Sequence, residues 1–364
     1  MSSIMQAKPS IMNIAPYVGG ESKASPASGR VIKLSSNEGA FGVPKGVKEA
    51  IQRYADTAHR YPDGGCIELR SALGLKYGID PAHIVCGAGS DEIISFLCQA
   101  YVSPRDEVIY SRHGFLMYPI STQVAGGIPV PVPEQELRAD LQAMLSAVTD
   151  KTKIIFLANP NNPTGSYLNS AELRAFLMSL PKHILLVLDS AYAEFVTAPD
   201  YSAGHEFVSD FGNVVVTRTF SKIYGMGGVR LGWGHCPPDI ADVLNRVRGP
   251  FNVSSLAQVC GIAALGEAQF IADSQAHNTF WRERASEALT QAGLRVYPSQ
   301  GNFLLVSFGT AEKAESCRLA LKDQGIILRQ MGAYGLSECL RISIGHPEEM
   351  EIAISTLTAY MNNS

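Results

Sequence analysis

The sequence predicts an α/β fold: a large, mostly parallel sheet flanked by helices, followed by a smaller α+β domain. Short apolar runs recur at Ile84–Cys86, Glu107–Tyr110, Ile128–Val132, Ile154–Leu157, Ile184–Leu188 and Val214–Thr217, with helical stretches between most of them. Their composition, most clearly in Val214–Thr217, suits strands buried on both faces. Beyond about residue 250 the units shorten and mix strand with helix, and 364 residues are long for one hydrophobic core. The expected organisation is an N-terminal arm over 1–44, a large domain over 45–255 and a small domain over 256–364 that the arm joins.

In the arm, Pro9, Pro16, Pro26 and the GGESKASPASGR segment discourage regular structure. Tyr17, just after Ala15-Pro16, and Asn37, within LSSNEGAFG, mark a chain that turns over something rather than trailing off. From Lys45, the residues Val47, Ala50, Ile51 and Tyr54 fall on one helical face. A turn at Arg60–Gly65 leads to a helix from Ile67 to Tyr77. Then come the strand Ile84–Cys86, the turn Gly87-Ala88-Gly89-Ser90 and the helical DEIISFLCQAY. A strand, a glycine turn and a helix start make an anion cradle, because the free N–H groups and the positive helix end face the turn. The competing reading, a dinucleotide fingerprint, finds only two of its three glycines in GAGSDE. The last part reads as a long helical region from Ser254 to about Leu289, then strands at Leu294–Tyr297, Gly301–Val306, Ile326–Arg329 and Leu340–Ile344. A helix over 311–323 lies among these strands, and Pro347 suits the first turn of a final helix.

Composition narrows the function. A net charge of −4 without a long basic run argues against nucleic acid or an anionic membrane as the main partner. The seven cysteines are scattered, odd in number and form no C-x-x-C pair, which suits reduced, packed thiols rather than a disulfide framework or a zinc site. With no signal-peptide pattern and no bilayer-length apolar run, a soluble cytoplasmic protein without a metal is expected.

In open parallel sheets, ligands bind beyond the carboxyl ends of the strands, and polar clusters stand at those ends here. After Val214–Thr217 come Thr219, Ser221 and Lys222, then Gly225, Gly227, Gly228 and Arg230. A lysine between hydroxyls, beside glycines and an arginine, fits a phosphate site or an imine-forming amine; a solvated loop lysine is the plain alternative. Asp189 ends an apolar run, where a carboxylate is costly without a cation, and either a protonated ring nitrogen or a helix-capping role would account for it. Tyr192 stands three residues on, within reach of another edge of the same ligand. The loop NPNNPTG is either a rigid turn or a device that aims an asparagine amide at a ligand oxygen.

Taken together, SSNE (35–38), RYPDG (60–64), GSDE (89–92), NPNNPTG (159–165), DSAYAEF (189–195), TFSKIYGMGGVRLGW (219–233) and LRISIG (340–345) resemble the fold-type I pyridoxal-phosphate aminotransferases. Within these, the branch acting on histidinol phosphate is the most similar. The resemblance implies a seven-stranded type of sheet in the large domain, pyridoxal 5'-phosphate as cofactor and a homodimer whose sites are shared between subunits. It implies that Lys222 bonds covalently to the cofactor, that Asp189 pairs with its ring nitrogen, and that Asn162 and Tyr192 contact its ring oxygen. The cofactor phosphate would be held by Ala88, Gly89, Ser90, Thr219, Ser221 and Arg230, with Tyr61 reaching across from the second subunit. Phe115 stands where the family commonly stacks a tyrosine on the ring, which keeps the aromatic face and loses a hydroxyl. Tyr17 of the partner subunit and Asn37 would line the substrate pocket. Arg341 would hold a substrate carboxylate, with Arg329 beside it, and the same guanidinium pair suits a phosphate.

The implied reaction is amino transfer between histidinol phosphate and 2-oxoglutarate, forming glutamate, in histidine biosynthesis. The alternatives are an aromatic amino acid aminotransferase and a decarboxylase of a phosphorylated amino acid on the same cofactor. A nicotinamide-dependent oxidoreductase would rest on GAGSDE alone.

Overall fold

The computed structural model describes residues 5–24 and 29–363. Two sheets organise it. The arm contains one short helix, Pro9–Met12, against the expectation of no regular structure there, and then β1 (Ile32–Leu34). Pro26 lies outside the described residues. The larger sheet takes β2 (Ile84–Gly87), β3 (Glu107–Ser111), β4 (Ile128–Val132), β5 (Thr152–Ala158), β6 (Leu185–Asp189), β7 (Val214–Thr219) and β8 (Gly232–His235). The smaller sheet takes β9 (Arg295–Tyr297), β10 (Phe303–Ser307), β11 (Ile326–Gln330) and β12 (Cys339–Ser343), with β1 added at its edge.

The larger sheet has the order β2-β8-β7-β6-β5-β3-β4. Only β8 runs against its neighbours, pairing antiparallel with β2 and β7. The sequence reading did not include β8, whose Gly232, Trp233 and Gly234 carry no β-branched run. Every residue of β6 and β7 is buried, as expected of strands covered on both sides. At the opposite extreme, β4 reads IPVPV, and its two prolines are tolerated because it is an edge.

In the smaller sheet β1 runs parallel to β11, with Ile32 and Leu34 opposite Ile326 and Leu328. The arm is therefore fastened by backbone pairing and by two buried side chains. Helices Ala268–Gln291, Ala311–Asp323 and Pro347–Asn362 supply Trp281, Leu321 and Leu357 to the core on this sheet. The long helical region expected from Ser254 is two helices, Ser255–Leu265 and Ala268–Gln291, bent by 79° at the break. Gly266, a poor helix former, stands at that break. By length and composition this bent pair alone passes as a broken membrane span, yet Ala257, Cys260, Trp281 and Leu289 are buried in protein cores; no single helix among the described residues is long and apolar enough to cross a membrane. Helix Lys45–Tyr54 turns Val47 and Ala50 inward, while Ile51, expected on the same face, is exposed.

Leu186 lies at the middle of β6 with no exposed surface. Leu186→Ala should lower unfolding stability by about 2–5 kcal/mol, the usual cost of a cavity in a rigid core. Chemical denaturation measures this, and a loss below about 1 kcal/mol would contradict the central placement of this strand.

Candidate active site

The carboxyl ends of β2, β5, β6 and β7 meet on one edge of the larger sheet. There a cavity of about 350 Å³ is lined by Tyr17, Ser90, Phe115, Asn162, Asp189, Tyr192, Thr219, Ser221, Lys222 and Arg230, among others. A larger groove of about 690 Å³ runs past Tyr167, Arg295 and Gln300 and has none of these groups. Of its arginines, Arg138 is already paired with Glu172. Chemistry, not size, singles out the smaller cavity.

The strand, glycine turn and helix start expected at residues 87–90 are present. Gly89 has φ +104, and a side chain at that position would collide with Asp91 and Arg230. No side chain caps the following helix, Ser90–Tyr101, so its first N–H groups face the turn. Arg230 fastens the surrounding loops: it donates to the Ala88 carbonyl at 3.2 Å, to Ser221 Oγ at 3.4 Å and to the Gly227 carbonyl at 3.1 Å, and pairs with Asp91 at 2.9 Å. Thr219 Oγ1 accepts from the Ser221 amide at 3.1 Å. Ala88 departs from its implied role, because its N–H already donates to Glu92 Oε2 at 2.7 Å. The amides of Gly89 and Ser90 remain at the helix start.

Asp189 is 5% exposed, and hydroxyls donate to both of its oxygens: Tyr118 to Oδ2 at 2.7 Å and Thr217 to Oδ1 at 2.9 Å. Burial pushes its carboxyl pKa up, while these donors and the Ala191 amide pull against that rise. The Lys222 amine stands 5.6 Å from the centre of the Tyr192 ring. Among the described residues it makes no hydrogen bond or ion pair. The Tyr192 hydroxyl accepts from Asn37 Nδ2 at 3.0 Å. Asn37, at φ 54, is held by Ser343: its N–H donates to Ser343 Oγ at 2.8 Å, and the serine hydroxyl donates back to Oδ1 at 2.9 Å. Asparagine tolerates that left-handed backbone better than most residues.

Arg329 and Arg341 stand opposite one another on β11 and β12. Arg341 donates to Asn162 Oδ1 at 2.6 Å and to the Ser35 carbonyl at 3.1 Å, while its buried Nε has no partner among the described residues. Burial pushes its pKa down. Arg329 donates to the Val18 carbonyl at 2.8 Å. Among the described residues neither guanidinium forms a salt bridge. Two buried cations without a carboxylate are costly unless an anion joins them, and an anionic ligand would supply it.

Two residues implied to act across a subunit interface, Tyr17 and Tyr61, are placed as follows within one chain. Tyr17 lines the cavity of its own chain, where a partner's Tyr17 was implied. The arm is tied to its own chain at Val18 by Arg329 and at Glu21 by Ser35, Arg318 and Lys322, and Tyr17 directly precedes the first of these anchors. Tyr61 is absent from the cavity lining; it is 84% exposed and stacks on Phe251 at 4.9 Å.

A polar layer beneath the site was not legible in sequence. Arg218, between Thr217 and Thr219 on β7, donates to Glu194 at 2.5 Å and to His205 Nε2 at 2.9 Å. The imidazoles of His205 and His235 meet at 3.2 Å. Burial and the neighbouring Arg218 push the His205 pKa down to about 2; burial and His83 push His235 down to about 4. Nothing in the apolar run VVVTRT signals an arginine with a buried partner. Tyr118 did carry a signal, since it lies one helical turn beyond Phe115. Thr217 is the strand neighbour of Asp189.

The model of the aminotransferases of class I and II matches residues 29–357. The chain belongs to the class I and II aminotransferases. It is 52% identical over 344 residues to the histidinol-phosphate aminotransferase of Rhodospirillum centenum, covering 94% of this chain and 95% of that protein. It is 51% identical over 363 residues to the enzyme of the same name from Rhodospirillum rubrum, covering 98% and 97%. Among solved structures, the histidinol-phosphate aminotransferase of Sinorhizobium meliloti, crystallised with pyridoxal-5'-phosphate, aligns with a TM-score of 0.90 at 30% identity, over 100% of this chain and 99% of that one. The fold-type I α/β architecture of this aminotransferase, expected from its motifs, is therefore the one observed.

Two predictions concern the layer that carries this site. Glu194→Ala should destabilise the aminotransferase by about 3–5 kcal/mol, because it leaves the buried Arg218 unpaired. A denaturation shift below about 1 kcal/mol would contradict that reading. Second, His205 and His235 are neutral when folded and titrate near their ordinary 6.5 when unfolded, so the unfolded chain binds more protons below that pH. Stability should fall as pH drops from about 6.5 towards 4, and His235→Gln should flatten that slope by about one proton. An unchanged slope in denaturation midpoints would contradict it.

Proposed function

We propose that this chain is a pyridoxal-phosphate-dependent transaminase that moves an amino group between histidinol phosphate and 2-oxoglutarate, the histidine-biosynthesis reaction. The observation that carries this reading is one cavity holding a lysine amine, a doubly hydrogen-bonded buried carboxylate and a glycine turn at a helix start, next to two arginines; among the described residues the lysine has no hydrogen bond or ion pair and the arginines have no carboxylate partner. The residues fit the cofactor. Lys222 would bond to its aldehyde, Asp189 would face its ring nitrogen, and Asn162 and Tyr192 would contact its ring oxygen. Phe115 would cover one ring face. Gly89, Ser90, Thr219, Ser221 and Arg230 would hold its phosphate, and Ala88 contributes by orienting Arg230.

When bound, the cofactor supplies an electron-withdrawing ring that stabilises negative charge on a substrate carbon. The protein does the rest. Asp189, with hydroxyls donating to both of its oxygens, would face the ring nitrogen and favour its protonated form. Lys222 Nζ, as a neutral amine, would carry the proton away from the substrate Cα and deliver it one carbon further on. Arg341 and Arg329 would bind the phosphate of histidinol phosphate in one half-reaction and the carboxylate of glutamate in the other. Tyr17 and Asn37 would border the substrate.

The division into an arm (1–44), a large domain (45–255) and a small domain (256–364) belongs to the same reading. Lys222 and Asp189 come from the larger sheet, the arginines from the smaller, and Tyr17 from the arm, so the substrate would sit between all three. We also infer a cytoplasmic homodimer. An exposed Tyr61 stacked on Phe251 and outside its own cavity supports a role across a two-fold interface.

An amino-donor panel with 2-oxoglutarate, assayed for glutamate, tests the substrate. Turnover should be greatest with histidinol phosphate; preference for phenylalanine or tyrosine would overturn the substrate assignment, and carbon dioxide release without consumption of the oxo acid would overturn the reaction. Arg341→Ala should lower kcat/KM for histidinol phosphate and for glutamate alike, by about tenfold or more, the scale of a lost charged hydrogen bond. Loss for one substrate alone would contradict the shared anion site.

A further inference from the structure

The hydroxyl of Tyr118 is buried, lies outside the cavity lining and makes a single contact of consequence, with the carboxylate on which the proposed chemistry depends. We propose that Tyr118 is a positioning residue: with Thr217 it fixes both oxygens of Asp189 and so decides on which atom a proton rests when a ring nitrogen faces that carboxylate. This inference rests on the cofactor reading given above.

Tyr118 is 1% exposed, and its ring lies parallel to Phe156, 4.7 Å away with an interplanar angle of 2°. Phe115 meets the same ring edge-on at 5.9 Å. Its backbone N–H donates to the Phe115 carbonyl at 3.0 Å, and its carbonyl accepts from Thr122 Oγ1 at 2.8 Å. The ring has no freedom to carry its hydroxyl elsewhere, so the 2.7 Å bond to Asp189 Oδ2 is held by packing from every side. Thr217 reaches Oδ1 from β7, directly opposite Asp189 in the strand register.

A phenol in this position can only donate to a carboxylate, and burial pushes the Tyr118 pKa up, so it stays a neutral donor. Donors to a carboxylate favour its ionised form. A ring nitrogen and Asp189 share one proton in two ways, as pyridinium with carboxylate or as pyridine with carboxylic acid. Two donors aimed at the carboxylate weight that balance towards pyridinium, the electron-withdrawing form. The other titratable neighbours are Tyr192, Tyr334 and Asp91; Asp91, being anionic, acts in the opposite sense on Asp189. The same Tyr118 ring also buttresses Phe115, so one buried side chain sets both the edge and the face that a bound ring would meet.

The test uses 4'-deoxypyridoxine 5'-phosphate, which lacks the aldehyde and so reads the ring-nitrogen contact independently of Lys222. It is titrated into protein freed of cofactor, and the absorbance of the bound ring distinguishes its protonated from its neutral form. In the wild type the ring should be protonated. In Tyr118→Phe, which keeps the packing and loses the hydroxyl, the ratio of protonated to neutral ring should fall by about tenfold to a hundredfold, the scale of a charged hydrogen bond. Thr217→Val should shift it the same way. An unshifted spectrum in Tyr118→Phe, with the analogue bound, would overturn this inference and leave the cofactor reading intact. Failure of the wild-type protein to bind the analogue would overturn both.

Discussion

Charge left unpaired inside a folded protein is the constraint on which this structure turns. Among the described residues Lys222 has no anionic partner, Arg329 and Arg341 have none, and the carboxylate of Asp189 is offset only by neutral donors. Each arrangement costs folding free energy that a chain selected for stability alone would avoid. A cofactor with an anionic end, an aldehyde and a basic ring nitrogen, together with an anionic substrate, would satisfy all of them. The larger sheet exists to hold four of its strand ends within reach of that ligand, and the smaller sheet brings the arginines to face them.

Rigidity around these groups comes from ordinary packing. Asp189 ends a fully buried strand, and its Tyr118 donor is clamped between Phe115 and Phe156. Asn37 is held from the smaller sheet by Ser343, and Asn162 by Arg341, so the two sheets are linked through the very side chains that line the site. The Glu194–Arg218 pair performs a similar task from the opposite face of β7, joining the segment after Tyr192 to the strand that ends before Lys222. A substrate anion at Arg341 would thereby act on the ring-oxygen contact as well as on its own binding.

Much of this was legible in the sequence. Apolar runs with helices between them predict a parallel sheet because strands buried on both faces need no polar alternation, and five of the observed strands coincide with such runs after β2. β8 escaped, since two glycines and a tryptophan carry no strand signature. The break at Gly266 escaped because a single glycine between two apolar helical segments does not by itself signal where a helix ends. Within the site, residues in contiguous motifs were readable, whereas Tyr118, Thr217 and Ser343 act through contacts between elements far apart in the chain. Tyr17 shows another limit: the residue was identified, but its place beside the cavity of its own chain follows from how Arg329, Ser35, Arg318 and Lys322 anchor the arm, contacts far apart in the chain.

The central claim is that the unpaired amine of Lys222 exists to hold a cofactor covalently. Borohydride reduction of the purified protein fixes such a bond permanently, and peptide mapping locates it. The account predicts one pyridoxyl group per chain, on the lysine of the TFSK segment. A label on another lysine, or none in protein saturated with pyridoxal phosphate, would contradict it.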